Sequence, residues 1–457
     1  MKKIYLASIA CLLQAAASGQ NAPTQAFHEW AAEHVHAIAS VEDDTHGDTD
    51  LRALNNIIGQ AHVVAFGEPF HGGHEPLAMR NRLIRYAVSR LGFTAVALET
   101  DLTASKLLYD HVAGKTTETD SALKGALSYG FGTNPENLEL IQWLRTWNAS
   151  QPPARQAHLY GIDLTGQLAP YAYRSVEAVQ TFLDHAAPDL GREFRRQYSD
   201  VIPVFRSDKY VRLSPAEKDA ITGKIQDMVA LIRRERIPLT ASTSRDEYEW
   251  ALRQALNAAQ DDAFLRTIPP AFDWDQFIKS PTDQQSMSGE RWERNAEMRE
   301  FAMAENLLWV QQREGSRGKT LFVAHDGHVQ TGVRVSPARP MQPAAQWRPA
   351  GDYLRSALGR DVVVIGTYFG HGAGFPAGRI APPDAAGMDG MLSSLSIPVF
   401  VMDLHELPGG GALNQWFHMP HETRNKVPFT WMTVPVEDYD AILFIETITP
   451  SPAVPKP

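Results

Sequence analysis

Apolar residues fall along this chain in short, nearly unbroken runs separated by longer amphipathic stretches. The runs are HVVAFGE (62–68), FTAVALET (93–100), AHLYGIDL (157–164), KTLFVAHDGH (319–328), DVVVIGTYFG (361–370), PVFVMDL (398–404) and AILFIET (441–447). Several consecutive apolar residues without alternation describe strands buried on both faces, the habit of a mainly parallel sheet covered by helices. Between the first two runs, HEPLAMRNRLIRYAVSRLG sets Leu77, Ile84, Ala87 and Val88 on one side and stops at Gly92, which makes a βαβ unit. The predicted class is α/β, a mainly parallel β-sheet flanked by helices.

From about 170 to 316 the pattern changes. No run reads as a strand, and stretches such as PAEKDAITGKIQDMVALIRRERI and RWERNAEMREFAMAENLLWVQQR carry helical periodicity. Ser214 before Pro215 and Glu217 forms a helix-start signal. The expected organisation is a first part of the α/β domain over 21–169, a large all-helical insertion over 170–316, and a second part of the α/β domain over 317–450. The proline-rich end, 451–457, is expected to be disordered. Trp250, Trp274, Phe277 and Trp292 in the insertion read as helix core, with a roof over a bulky ligand as the alternative.

Polar residues sit at matching places, the ends of the apolar runs. The first run ends at Glu68 with His71 three residues on, the second at Glu99, the third at Asp163, and the fourth at His325, followed by Asp326 and His328. Carboxyl ends of parallel strands line one crevice, where ligands bind in open α/β sheets, so these groups are expected to converge. On the helix after the glycine turn, Arg80 is placed to reach Glu68 or Glu99 and to orient a carboxylate or bind an oxyanion. Arg82 and Arg85 are expected to face solvent or pair along the helix.

Several chemistries lack their motif. The chain has no G-x-S-x-G elbow and no H-E-x-x-H pair, and the turn GEPFHGG lacks the lysine and hydroxyl of a phosphate loop. Two readings stay open. In one, a histidine oriented by a carboxylate acts as general base on water. In the other, His71, His325, His328 and Glu99 hold a divalent metal such as zinc, which acidifies bound water. A non-enzymatic variant has the same histidines binding haem or a metal.

Composition narrows the setting. The 457 residues are 44% hydrophobic and 21% charged, ordinary for a globular chain. The start MKKIYLASIACLLQAAASGQ (1–20) has the basic, apolar and small-residue zones of a secretory signal peptide, so export to the periplasm is expected. Its removal takes away Lys2, Lys3 and the single cysteine, Cys11, and moves the net charge from −10 to about −12. A mature chain without thiols has no disulfide and no cysteine nucleophile. The acidic balance and the lack of a basic stripe argue against nucleic acid, and no further run is long enough for stable membrane insertion.

The segment GEPFHGGHEPLAMRNRLIRYAVSRLGFTAVALET resembles the opening signature of the erythromycin esterase family, which hydrolyses the lactone of 14-membered macrolides. The resemblance continues through LYGIDL, REFAMAENLLWV, LFVAHDGHV and GDYLRSALGRDVVVIGTYFGHG. It implies that His71 activates water beside Glu68, that Glu99 and Arg80 belong to the site, and that His325 and His328 are its two late histidines. It implies no cofactor, no covalent intermediate, and a small-molecule ester substrate such as a macrolide. Two positions depart from the family pattern, His74 and Asp326, where asparagine is usual at the second. With Asp163 they are expected around the substrate rather than at the reacting atoms.

Overall fold

The structure is a computed structural model that describes residues 23–42, 47–165, 171–270, 290–337, 345–375, 380, 383–422 and 431–452. The amino-terminal segment read as a signal peptide, Trp274 and Phe277 lie outside the described residues, as does the side chain of Trp292.

Eight strands form the main sheet: β1 (Val35–Ala37), β2 (Val63–Glu68), β3 (Phe93–Asp101), β4 (His158–Asp163), β5 (Lys319–His325), β8 (Val362–Gly372), β9 (Val399–Asp403) and β12 (Ala441–Ile448). A small antiparallel sheet is made by β6 (Arg334–Ser336), β7 (Ala345–Trp347), β10 (His421–Glu422) and β11 (Met432–Thr433). The main sheet runs β1-β9-β12-β8-β2-β5-β3-β4. From β12 to β4 all neighbours are parallel, whereas β9 pairs antiparallel with β12 and β1 antiparallel with β9. The α/β class and the mainly parallel sheet are as the apolar runs predict.

Alternation along each strand supplies two cores. Val64, Phe66, Val96, Leu98, Leu321 and Val323 pack on one face with Met79, Leu83 and Ile84 of the helix His74–Arg90 and Leu140, Ile141 and Leu144 of the helix Pro135–Ala149. Val63, Ala65, Ala95, Ala97, Phe322 and Ala324 pack on the other with Met303, Leu307 and Val310 of the helix Glu290–Glu314. A sheet buried this way needs apolar residues at every position, which is why its strands lack polar alternation.

Residues 171–270 and 290–314 hold helices and no strand among the described residues. The helix Pro215–Arg234 opens with the Ser214–Glu217 capping box. Val176, Phe194, Tyr198, Ile225, Met228 and Leu265 belong to a third core of this region's own. The helix Glu290–Glu314 bridges the two bodies, with Ala302 in that third core and Met303 beside it in the sheet's. Trp250 is buried against Tyr160 and Trp309, so it is core rather than a roof.

Two expectations fail on burial. Arg82 does not face solvent. It is 2% exposed and ties the helix to the segment before β2, through bonds of 2.6 and 2.9 Å to Asp50 and further bonds to the carbonyls of Ser40 and Gly47. Ser451, assigned by composition to a disordered tail, is buried and hydrogen-bonded to Gly72 and Glu136, while 453–457 lie outside the described residues.

Removing one member of a buried ion pair strands the other, at a cost of about 3 kcal/mol or more. Arg82→Met is therefore expected to lower the unfolding free energy by about that amount, read as a lower urea midpoint, with Arg82→Lys recovering part of it. An unchanged midpoint would show that the pair holds nothing together.

Candidate active site

Strand register builds the site. Glu68 stands beside His325 in the β2–β5 pairing, Leu98 of β3 stands beside Val323, and Asp101 stands beside Asp163. Parallel strands ending at one level therefore deliver Glu68, Glu99, Asp163 and His325 to the same edge although they are far apart in sequence.

The turn after β2 carries His71. Gly72 has φ +84°, in the left-handed region that glycine enters without steric cost, and Gly73 caps the helix His74–Arg90. The end of β12 holds this turn down. Thr449 O accepts from His74 N (2.8 Å), Ser451 N donates to Gly72 O (2.9 Å), and Glu75 accepts from Thr449 N and Oγ1 (2.6 and 2.8 Å).

At the centre, His71 Nδ1 lies 3.3 Å from Glu68 Oε1, and His71 Nε2 lies 3.7 Å from Glu99 Oε2. Its ring sits 4.9 Å from that of His325 and 5.0 Å from Phe131. Glu99 also accepts from the His325 backbone N–H at 2.9 Å and from Arg299 Nη2 at 2.8 Å. Burial opposes ionisation of Glu99, but His328, His71 and Arg299 prevail and hold its carboxyl well below the usual range.

Arg299, on the helix Glu290–Glu314, also donates to Asp163 through Nε (3.1 Å) and Nη2 (2.6 Å). Asp163 is wholly buried and accepts from Tyr129 Oη at 2.6 Å as well. Tyr129 takes φ 58°, rare for a bulky residue, in a segment stitched to β3 by Asp101 N to Ser128 Oγ (2.9 Å) and Ser128 N to Thr100 Oγ1 (2.8 Å).

The two late histidines are driven apart. Burial, with His71 and Arg334 nearby, pushes His325 well below its ordinary pKa, so the ring is neutral. Gly327 N donates to its Nδ1 at 3.1 Å, which leaves the hydrogen on Nε2. His328 is also buried, yet Glu300 (2.7 Å from Nδ1) and Glu99 (3.3 Å from Nε2) outweigh that cost and raise its pKa to about 9.

Glu68, His71, Arg80, Glu99 and Asn137 border a cavity of about 20 Å³, enough for one water molecule. Among the described residues no three histidine, cysteine, aspartate or glutamate side chains are arranged to hold a metal ion.

The model of the erythromycin esterase family matches residues 88–448. The chain belongs to the erythromycin esterase family. It is thus a hydrolase of that family, and five of its clustered residues, Glu99, Asp163, Arg299, His325 and His328, lie within the matched span. Erythromycin esterase type II of Escherichia coli is 24% identical over 361 residues, covering 76% of this chain and 78% of its own. A putative hydrolase of Bacillus subtilis is 21% identical over 420 residues, covering 88% and 87%. A Bacillus cereus protein of solved structure superposes with a TM-score of 0.75 at 21% identity, over 94% of this chain and 99% of its own, and so shares the fold.

In this erythromycin esterase family member, Glu68, His71, Glu99, Asp163, His325 and His328 come together as their strand positions predict. Arg80 is 4% exposed, bonded to Asn81 and Asn137 (2.9 and 2.7 Å from Nη2) with Nη1 3.9 Å from Glu68, so it supports that carboxylate from below. His74 turns away from the crevice, to Glu136 (2.6 Å) and Glu42 (3.0 Å), which raise its pKa despite partial burial. Asp326 is not in the crevice either. It accepts from Thr367 N behind β2, where a side chain at Gly67 would collide with it, and burial lifts its carboxyl well above the usual range.

Arg299, Glu300 and Tyr129 join the site without standing at a strand end, so the apolar runs give no sign of them. The available signal was the Arg-Glu pair heading REFAMAENLLWV, which resembles a family motif but carries no strand-end position.

His328 has a stabilising folded pKa above its ordinary 6.5, so its contribution is complete below 6.5 and is lost as pH rises through about 9. Deprotonated, Nε2 accepts from Arg299 Nη1, 3.1 Å away, in place of donating to Glu99. NMR titration of the His328 ring is expected to show a midpoint near 9 that Glu300→Gln moves towards 6.5. A midpoint indifferent to Glu300→Gln would break this account.

Proposed function

We propose that this hydrolase is exported and opens a macrolide lactone, or cleaves another bulky or cyclic ester, with water activated by His71 and no covalent intermediate. The observation that carries the reading is the placing of His71 Nδ1 3.3 Å from Glu68, which supports a ring hydrogen on that nitrogen and Nε2 as the base beside a cavity of water size. Of the three clustered imidazoles, His71 alone has a side chain as much as 20% exposed, whereas His328 is at 9% and His325 is buried.

The remaining groups divide the work. His71 takes a proton from water as the hydroxide adds to the ester carbonyl. His325, neutral with a hydrogen on Nε2, is suited to donate to the developing oxyanion. His328, protonated at neutral pH, is a proton source for the departing alkoxide. His328 and Arg299 keep Glu99 ionised, and Arg80 backs Glu68. The cavity is too small for a macrolide, so the substrate body lies outside it, against the exposed edge of His71 and Phe131. Opening the lactone yields a hydroxy acid.

His71→Ala is expected to reduce ester turnover about 10²- to 10⁴-fold, the usual worth of a general base, with the thermal transition intact. Incubation with erythromycin is expected to add the mass of one water. An unchanged drug would remove the macrolide from the proposal, and full activity in His71→Ala would remove the mechanism. Metal content of the dialysed protein, with chelator loss and metal rescue, separates this reading from a metal held by His71, His325, His328 and Glu99. Amino-terminal sequencing of the periplasmic fraction tests export.

A further inference from the structure

A second cavity lies at the other end of the sheet. It has a volume of about 670 Å³, within the range of small-molecule sites, and is bordered by the start of β4, the helix Arg245–Thr267 and the end of the helix Glu290–Glu314. Arg313 on its wall is fourteen residues along one helix from Arg299, about 21 Å at 1.5 Å per residue, so the cavity is separate from the ester site.

Most charges on its wall are spoken for. Arg245 and Arg313 bond Glu249, Arg313 also meets Asp246, and Arg317 and His158 share Glu314. Arg253 differs. It lines the cavity at 6% exposure, and its Nε and Nη2 are buried with no hydrogen-bond acceptor. Glu305 attracts it only through space, and burial draws its pKa down to about 10. A buried guanidinium with no hydrogen-bonded acceptor is costly, and an anion entering the cavity would meet that need. Trp309, Leu252 and Leu256 supply an apolar wall beside it.

From this placement we infer that the cavity is a second ligand site, in which Arg253 receives the oxyanion of a molecule whose apolar body rests on Trp309, Leu252 and Leu256. A guanidinium serves carboxylate and phosphate alike, so the anion class is settled by comparison of the two.

The test is calorimetric titration of the full chain with 1-naphthoate and with 1-naphthyl phosphate. At least one is expected to bind with a stoichiometry that His71→Ala leaves unchanged, and the tighter of the two identifies the anion. Arg253→Met is expected to weaken it by about tenfold or more, the worth of a charge-assisted contact, while the melting temperature holds or rises because an unpaired buried charge has gone. Leu256→Glu, which offers Arg253 an internal carboxylate, is expected to block binding in the same way. No binding of either probe up to about 10 mM, binding lost in His71→Ala, or affinity unchanged in both cavity variants would each overturn the inference. So would an Arg253→Met protein without a folded transition, since the guanidinium would then serve the fold.

Discussion

The guanidinium of Arg299 is the interaction around which the site is organised. Glu99 and Asp163 lie in the carboxyl-terminal parts of neighbouring strands, both are buried, and two such carboxylates side by side would repel each other and resist ionisation. One planar cation bonded to both turns that liability into a fixed frame. The frame also fastens the helix Glu290–Glu314 across the ends of β3 and β4, and it leaves the second oxygen of Glu99 for the backbone of His325. Helical region and sheet are joined here by charge as well as by the apolar contacts of Met303 and Leu307.

The frame then differentiates the histidines. His325 and His328 lie three residues apart in one turn, with ring centroids at 6.3 Å, yet one is held neutral and the other charged. The cause is their company. His328 stands between Glu300 and Glu99, whereas His325 packs on the indole of Trp431 at 5.3 Å with Arg334 close by. Similar groups given opposite protonation states are the usual means by which one crevice supplies both donor and acceptor at neutral pH.

The sheet and the strand-end half of the site were readable because both follow from period and topology. An apolar run says buried strand, and a polar residue at its end says crevice, so Glu68, Glu99, Asp163 and His325 needed no further information. Arg299 and Glu300 were hidden for the converse reason: charged residues on an amphipathic helix ordinarily mark its solvent face, and only tertiary packing shows that this helix turns them inward. The same default misplaced Arg82, whose partner Asp50 precedes β2. His74 drew notice through its nearness to His71, but the helix starts at His74 and points it towards Glu136, which sits on another helix. Tyr129 depends on a positive φ that a tyrosine gives no hint of in sequence.

The clasp of Thr449–Ser451 on the glycine turn has a consequence for the order in which the molecule assembles. Gly72 and His74 lie early in the chain, and the groups that hold them arrive some 375 to 380 positions later. A β2 strand and its helix can associate as soon as both exist, but the turn that presents His71 has its backbone partners only once residue 451 has joined the sheet edge. Closing so long a loop is slow compared with local pairing. Competence is thereby expected late in folding, after the rest of the sheet is in place, and a chain cut short just after β12 would keep the Leu443, Ile445 and Ile448 of one core and the Ile442 and Phe444 of the other while its reactive turn stood without its clasp.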